Sequence, residues 1–301
     1  MVPIVAGAVA LTVLLGIGAL LTTARGRDYQ LGQPDETDLY VTSGPALRRL
    51  TVGYSALAAD LYWIRAIQYF GSIRLKLDDP TAPKDYSQLY PLLDLTTSLD
   101  PYFSIAYRFG SIFLAEPAPG GAGRPDLAVA LLEKGLRESP DKWEYAEDIG
   151  FVHYWWSHDY QQAAQWFDRA STMPNAPWWL RSLSATTLLR GGDRESSRRM
   201  WQSIHDAATD NEWLRGSAER ALRQLAALDQ IDQLQPIVDR LVSSQQRPVP
   251  AGTPLQLDGR VVVDPTGVPY EIDAGGKLTI GRSSSLLPLP AAVAPGGAPR
   301  S

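Results

Sequence analysis

The hydrophobic pattern divides the chain into three stretches. From Met1 to Ala24 no charged side chain interrupts a run of aliphatic, glycine and threonine residues. At about 1.5 Å per helical residue, roughly 20 such residues cross a ~30 Å hydrocarbon layer. An apolar surface on all sides suits lipid better than a folded core, so residues 1–24 are expected to form one transmembrane anchor. A cleaved signal peptide is the alternative, but its apolar region usually runs to about 7–15 residues behind a basic segment, and no basic residue precedes this one. Residues 25–45 are polar with scattered Gly and Pro and read as a tether. Leu47, Leu50, Val52, Leu57, Leu61, Ile64 and Ile67 then recur at spacings of mostly three or four, and similar patterns continue to about Val242. That periodicity predicts an all-α domain over residues 46–245. Over residues 246–285 the composition shifts to Pro and Gly, with short β-branched runs at Val261–Val263 and Leu278–Ile280. A small hairpin-like β extension is expected there, followed by a disordered tail over residues 286–301.

The helical stretch repeats itself. Ala163 and Ser197, Phe167 and Trp201, and Asp159 and Asp193 are each separated by 34 positions. A fixed period of this length marks helix hairpins that each leave an apolar side for the next to cover. In Pro125 to Pro140, Ala128 and Gly135 are small packing positions, Leu132 is a large one, and Pro140 ends the segment. Ile149-Gly150 and Phe109-Gly110 each set a large apolar residue before a glycine, and Asp159 to Ala170 repeats the small-large-small pattern. These residues resemble the tetratricopeptide repeat over roughly Ala46 to Val242. The resemblance implies an α-solenoid of about four helix pairs with irregular joints. One residue too many lies between Gly150 and Asp159, Glu116 to Arg124 is an insertion, and Ala185 stands where Gly is expected. The stretch from Tyr40 to Gly71 also resembles the start of uncharacterised bacterial tetratricopeptide proteins with an N-terminal membrane segment.

Composition narrows the chemistry. The 28 basic and 33 acidic residues leave a net charge of −5, which gives nucleic acid no basic stripe to bind. Without cysteine the chain has neither disulfides nor thiolate metal sites. His153 and His158 are five residues apart, off a shared helical face, so no metal site is expected. The sequence contains no G-x-S-x-G elbow and no phosphate-binding G-x-x-x-x-G-K-[ST] loop. Glu144, Glu147 and Asp148 could pair for acid–base work, but helices of a solenoid carry many solvated acids, so an enzyme is the weaker reading and no cofactor or small-molecule substrate is expected.

The nine tryptophans cluster with tyrosines and phenylalanines, as in Tyr154-Trp155-Trp156 and Trp178-Trp179. Most are expected in the seam between hairpins, with Phe167 and Trp201 in equivalent places. In tetratricopeptide arrays the first helix of each pair lines a concave docking face. Counted from Gly110, Gly150 and Ala185, the resemblance puts Tyr107, Glu144, Glu147, Phe151 and Trp179 on that face. The expected activity is therefore a membrane-anchored protein–protein interaction scaffold or assembly adaptor, with other proteins of a membrane complex as partners. One alternative is a structural accessory of a pilus, secretion or other membrane complex, because Asp264-Pro-Thr-Gly267-Val-Pro269-Tyr270 resembles a C-terminal segment of type II secretion pseudopilins; an uncharacterised enzyme is the other, weaker one. A bacterial inner-membrane location with one span and an extracytoplasmic body is expected. Arg25 and Arg27 favour the opposite orientation, but Asp28, Asp35, Glu36 and Asp38 follow closely.

Overall fold

The computed structural model describes residues 16, 20, 48, 49, 51, 53–79, 84–244 and 249–290. The expected anchor, apart from Gly16 and Leu20, lies outside them, as does the tether 25–45. Among the described residues no helix is long and apolar enough to cross a membrane. These residues form nine α-helices in sequential antiparallel pairs, followed by a small antiparallel β region. The chain divides into two compact units, residues 1–99 and 100–301.

In the first unit, α1 (Ser55–Arg74) packs on α2 (Leu89–Leu99). Ala59, Ala66, Phe70 and Ile73 share one face of α1 at helical spacing and are buried, and the Phe70 ring meets Tyr86 at 5.7 Å between centroids. The opposite face leaves Leu57, Leu61 and Ile64 exposed.

The second unit comprises α3 (Ser104–Ala115), α4 (Pro125–Glu138), α5 (Trp143–Val152), α6 (Tyr160–Ser171), α7 (Trp179–Arg190), α8 (Arg194–Ala207) and α9 (Glu212–Ser244). Each helix packs on the next in sequence. The 34-residue equivalence is structural as well as sequential. Asp159 and Asp193 both cap helices, their carboxylates accepting from the backbone N–H of Gln162 and Ser196 at 3.0 and 2.9 Å. Such a cap satisfies an amide that the first helical turn leaves without a partner. Ala163 and Ser197 are wholly buried one turn later, and Phe167 and Trp201 are both buried a turn beyond them. Phe167 lies against Gly150: a Cβ there would fall 2.4 Å from the ring, so α5 and α6 approach as closely as they do only because position 150 carries no side chain.

Two of the three expected irregularities have a visible physical form. The extra residue after Gly150 is taken up by a π-helical turn, His153–Ser157, in which the N–H of His158 donates to the carbonyl of His153. A π-turn accommodates one surplus residue without breaking the helix axis. His158 then adopts a left-handed conformation at φ 51° and ends the segment. The insertion folds back on the end of α3: the N–H groups of Ala122 and Arg124 donate to the carbonyls of Phe113 and Leu114.

The β region comprises β1 (Thr253–Pro254), β2 (Gln256–Leu257), β3 (Arg260–Val261), β4 (Tyr270–Ile272) and β5 (Leu278–Ile280). β4 lies between β1 and β5 in one antiparallel sheet, and β2 pairs with β3 in another. Leu255, Tyr270, Ile272, Leu278 and Ile280 form one apolar cluster with Ala227 and Val238 of α9. Glutamines on α9 complete the attachment. Gln230 accepts from the Tyr270 hydroxyl at 2.6 Å, Gln235 accepts from the Leu278 N–H at 2.8 Å, and Gln224 donates to the carbonyls of Leu286 and Pro288. Leu286 is buried in the same cluster. Leu289 packs against this cluster too, so packed contacts extend into the stretch 286–301 expected as a tail; residues 291–301 lie outside the described residues.

Candidate functional site

The described helices present an apolar surface to solvent along α3 and α5. On α3, Ile105, Phe109 and Ile112 follow one another at helical spacing, and all are exposed, Phe109 by 54%. They face outward because Ala106, Tyr107, Gly110, Ser111 and Leu114 make up the buried stripe of the same helix. A cleft of about 660 Å³ lies beside them, lined by Ser111, Ile112, Pro117, Phe151, Trp155 and Trp156 among others. Its long wall is the end of α5 and the π-turn, which turns Trp155 outward to 57% exposure. A second cleft, of about 290 Å³, shares Ile112 and Asp148 with the first and adds Ile105, Arg108 and Phe109. The two form one groove.

A charged pair stands in the middle of that groove. The guanidinium of Arg108 donates to both carboxylate oxygens of Asp148, from Nε at 2.6 Å and from Nη2 at 3.0 Å. Its Nη2 also lies 3.8 Å from Oε2 of Glu147. Two parallel charge-assisted bonds fix the distance between α3 and α5 at this point. Burial pushes the Asp148 carboxyl up, and the bonds from Arg108 pull it back. Glu147 has no such pair of bonds. Burial, reinforced by the adjacent Asp148 charge, raises its carboxyl to about 7, and Arg108 offsets this only in part.

The five residues counted from the repeat glycines are divided by the structure. Phe151 lines the groove, and Glu144 lies one helical turn before Asp148, half-buried. Tyr107 is wholly buried, its ring 5.2 Å from that of Tyr145. Glu147 is buried as well. Both stand three positions before their glycine, a place that points into the packed side of the helix. The groove is reached two positions before the glycine, by Arg108 and Asp148, and one after it, by Ser111 and Phe151. Trp179 is exposed at the start of α7 and lines neither cleft. The sequence-based count did not include Ile105, Phe109, Ile112 and Trp155; the Tyr-Trp-Trp run signalled Trp155, and the spacing of Ile105, Phe109 and Ile112 placed them on one helical face without saying which face it was.

Among the described residues no three or more His, Asp or Glu side chains are grouped to hold a metal ion. The chain matches no known protein-family model, and no curated protein matches it.

Proposed function

We propose that this protein is an interaction scaffold of tetratricopeptide-like hairpins that seats a segment of a partner protein in the groove between α3 and α5. The observation that carries this reading is the row of large apolar side chains, Ile105, Phe109, Ile112 and Trp155, left open to water beside a concave surface. Contiguous exposed apolar surface of this kind marks docking sites, and aromatic anchors in concave places supply most of the energy of protein interfaces. In the same reading, residues 1–24 hold the scaffold in a bacterial inner membrane with the body outside the cytoplasm, and its partners belong to a membrane complex.

The segment that resembles pseudopilins does not favour the accessory role over this one. The Asp264 carboxylate accepts from the N–H groups of Thr266 and Val268 and from the hydroxyls of Thr266 and Ser284, and the Tyr270 hydroxyl is held by Gln230. The side chains that carry the likeness thus serve the fold of the extension itself.

A photo-crosslinking amino acid placed at Phe109 or Trp155 in intact membranes tests the reading. One discrete cross-linked partner, absent when the label is moved to Arg199 on the exposed side of α8, is the expected result. Labelling equal at all three positions refutes it. A reporter fused at Ser301 checks the orientation.

A further inference from the structure

The groove changes character along its length. At the end formed by Trp155, Trp156, Phe151 and Ile112 it is apolar. Toward the start of α3 and α5 it passes the Arg108–Asp148 pair, and Ser104 borders it there. Two residues before Ser104, Tyr102 lines a third concave region of about 500 Å³, whose wall includes Trp143, Glu138, Asp141 and Glu144. That lining contains three carboxylates and a single ammonium, Lys142, which sits 5.7 Å from the centre of the Tyr145 ring. The other cation, Arg108, is already engaged by Asp148 and Glu147. Negative charge and two aromatic faces therefore gather at the start of α5, where Glu144 stands one turn before Asp148, and apolar surface lies at the far end of the same helix and in the π-turn. From Glu144 to Trp155 is eleven residues, about 16 Å along a helix, the length of roughly five extended residues.

We propose that the groove recognises a polypeptide segment with bulky apolar side chains at one end and basic side chains at the other, its apolar end on Trp155 and its basic end beside Glu144. The proposal rests on the scaffold reading and adds the chemistry of the partner. The apolar end supplies affinity by excluding water from Phe109, Ile112 and Trp155. The acidic end supplies direction and selectivity: a lysine or arginine there meets carboxylates and the rings of Tyr102 and Trp143, whereas an acidic side chain is repelled. A segment laid the other way round puts its charges against Trp155 and its apolar groups among carboxylates, so only one orientation satisfies both ends.

The test uses the full-length protein in detergent micelles and two fluorescein-labelled synthetic peptides. Each carries two phenylalanines and a leucine at one end and, four residues away, either three arginines or three glutamates. By fluorescence anisotropy the basic peptide is expected to bind at least about tenfold more tightly, and the difference shrinks as salt is raised. Trp155→Ala weakens binding of the basic peptide about tenfold. Glu144→Gln lowers its advantage over the acidic peptide by about threefold. Phe109→Ala, on the other wall, repeats the loss from an independent helix, and matching circular dichroism spectra show that each variant folds. Equal binding of both peptides overturns the proposal, as does binding of neither. Equal binding that is lost in Trp155→Ala overturns this proposal and leaves the scaffold reading standing, which falls instead when the membrane cross-links at Phe109 and Trp155 fail.

Discussion

Glu147→Gln isolates a buried carboxylate behind the groove whose ionisation is strongly displaced. In the folded protein Glu147 holds its proton up to about pH 7, against 4.5 for the unperturbed group, chiefly because it is buried. Each pKa unit corresponds to about 1.4 kcal/mol, so the full displacement is worth on the order of 3 kcal/mol. The sign follows from the direction. The folded state binds this proton more tightly than the unfolded state, so the contribution is fully present below about pH 4.5 and is lost as pH rises through about 7. Above that pH the wild-type protein carries a desolvated charge whose nearest cation, Arg108, donates both of its hydrogen bonds to Asp148. Glutamine keeps the volume and removes the ionisation. Allowing for relaxation around the charge, the variant is expected to match the wild type at pH 5 and to exceed it by about 1–2 kcal/mol at pH 8. For a folded unit of this size that is a rise in Tm of roughly 2–8 °C. Thermal unfolding of both proteins, followed by circular dichroism at the two pH values, measures it. Asp148, which burial also displaces upward, is common to both proteins and cancels in the difference. A variant less stable than the wild type by the same amount at pH 5 and pH 8 refutes the reasoning, because Glu147 would then act as an ion-pair partner of Arg108 at both.

Other consequences concern the packing. Gly150→Ala drives a methyl group against the Phe167 ring, so it is expected to cost about 1–3 kcal/mol in chemical denaturation although alanine is the better helix former. The control is Gly216→Ala in α9, where nothing lies within 4 Å of the new Cβ, and a gain of up to about 1 kcal/mol is expected. Phe167→Ala empties a wholly buried site and should cost about 3–5 kcal/mol, with near-ultraviolet dichroism weakened; a cost under about 1 kcal/mol would contradict its place between hairpins. Asp264→Ala leaves the amides of Thr266 and Val268 without their acceptor. Faster amide hydrogen exchange confined to residues 253–290 is expected, at a cost of about 1–3 kcal/mol.

Much of the fold is written in local chemistry. Helical spacing of apolar residues, Asp159 and Asp193 as caps, and the 34-residue offset between Phe167 and Trp201 each depend on neighbours a few residues away or one repeat away, and each is legible in the linear order. The surplus residue after Gly150 was visible too, as an excess over the repeat spacing. Its conversion into a π-turn that turns Trp155 outward was decided by the tertiary structure, because α5 must stay in register with α6 on both sides of the extra residue. The groove was hidden for a related reason. Whether Tyr107 or Arg108 faces it depends on a rotation of about 100° about the axis of α3, and that rotation is set by the packing of Tyr107 on Tyr145 and of Arg108 on Asp148, a partner 40 residues away. Glu147 completes the contrast: its sequence context shows an ordinary surface acid, and only burial by α5's neighbours makes it a group that titrates near neutrality.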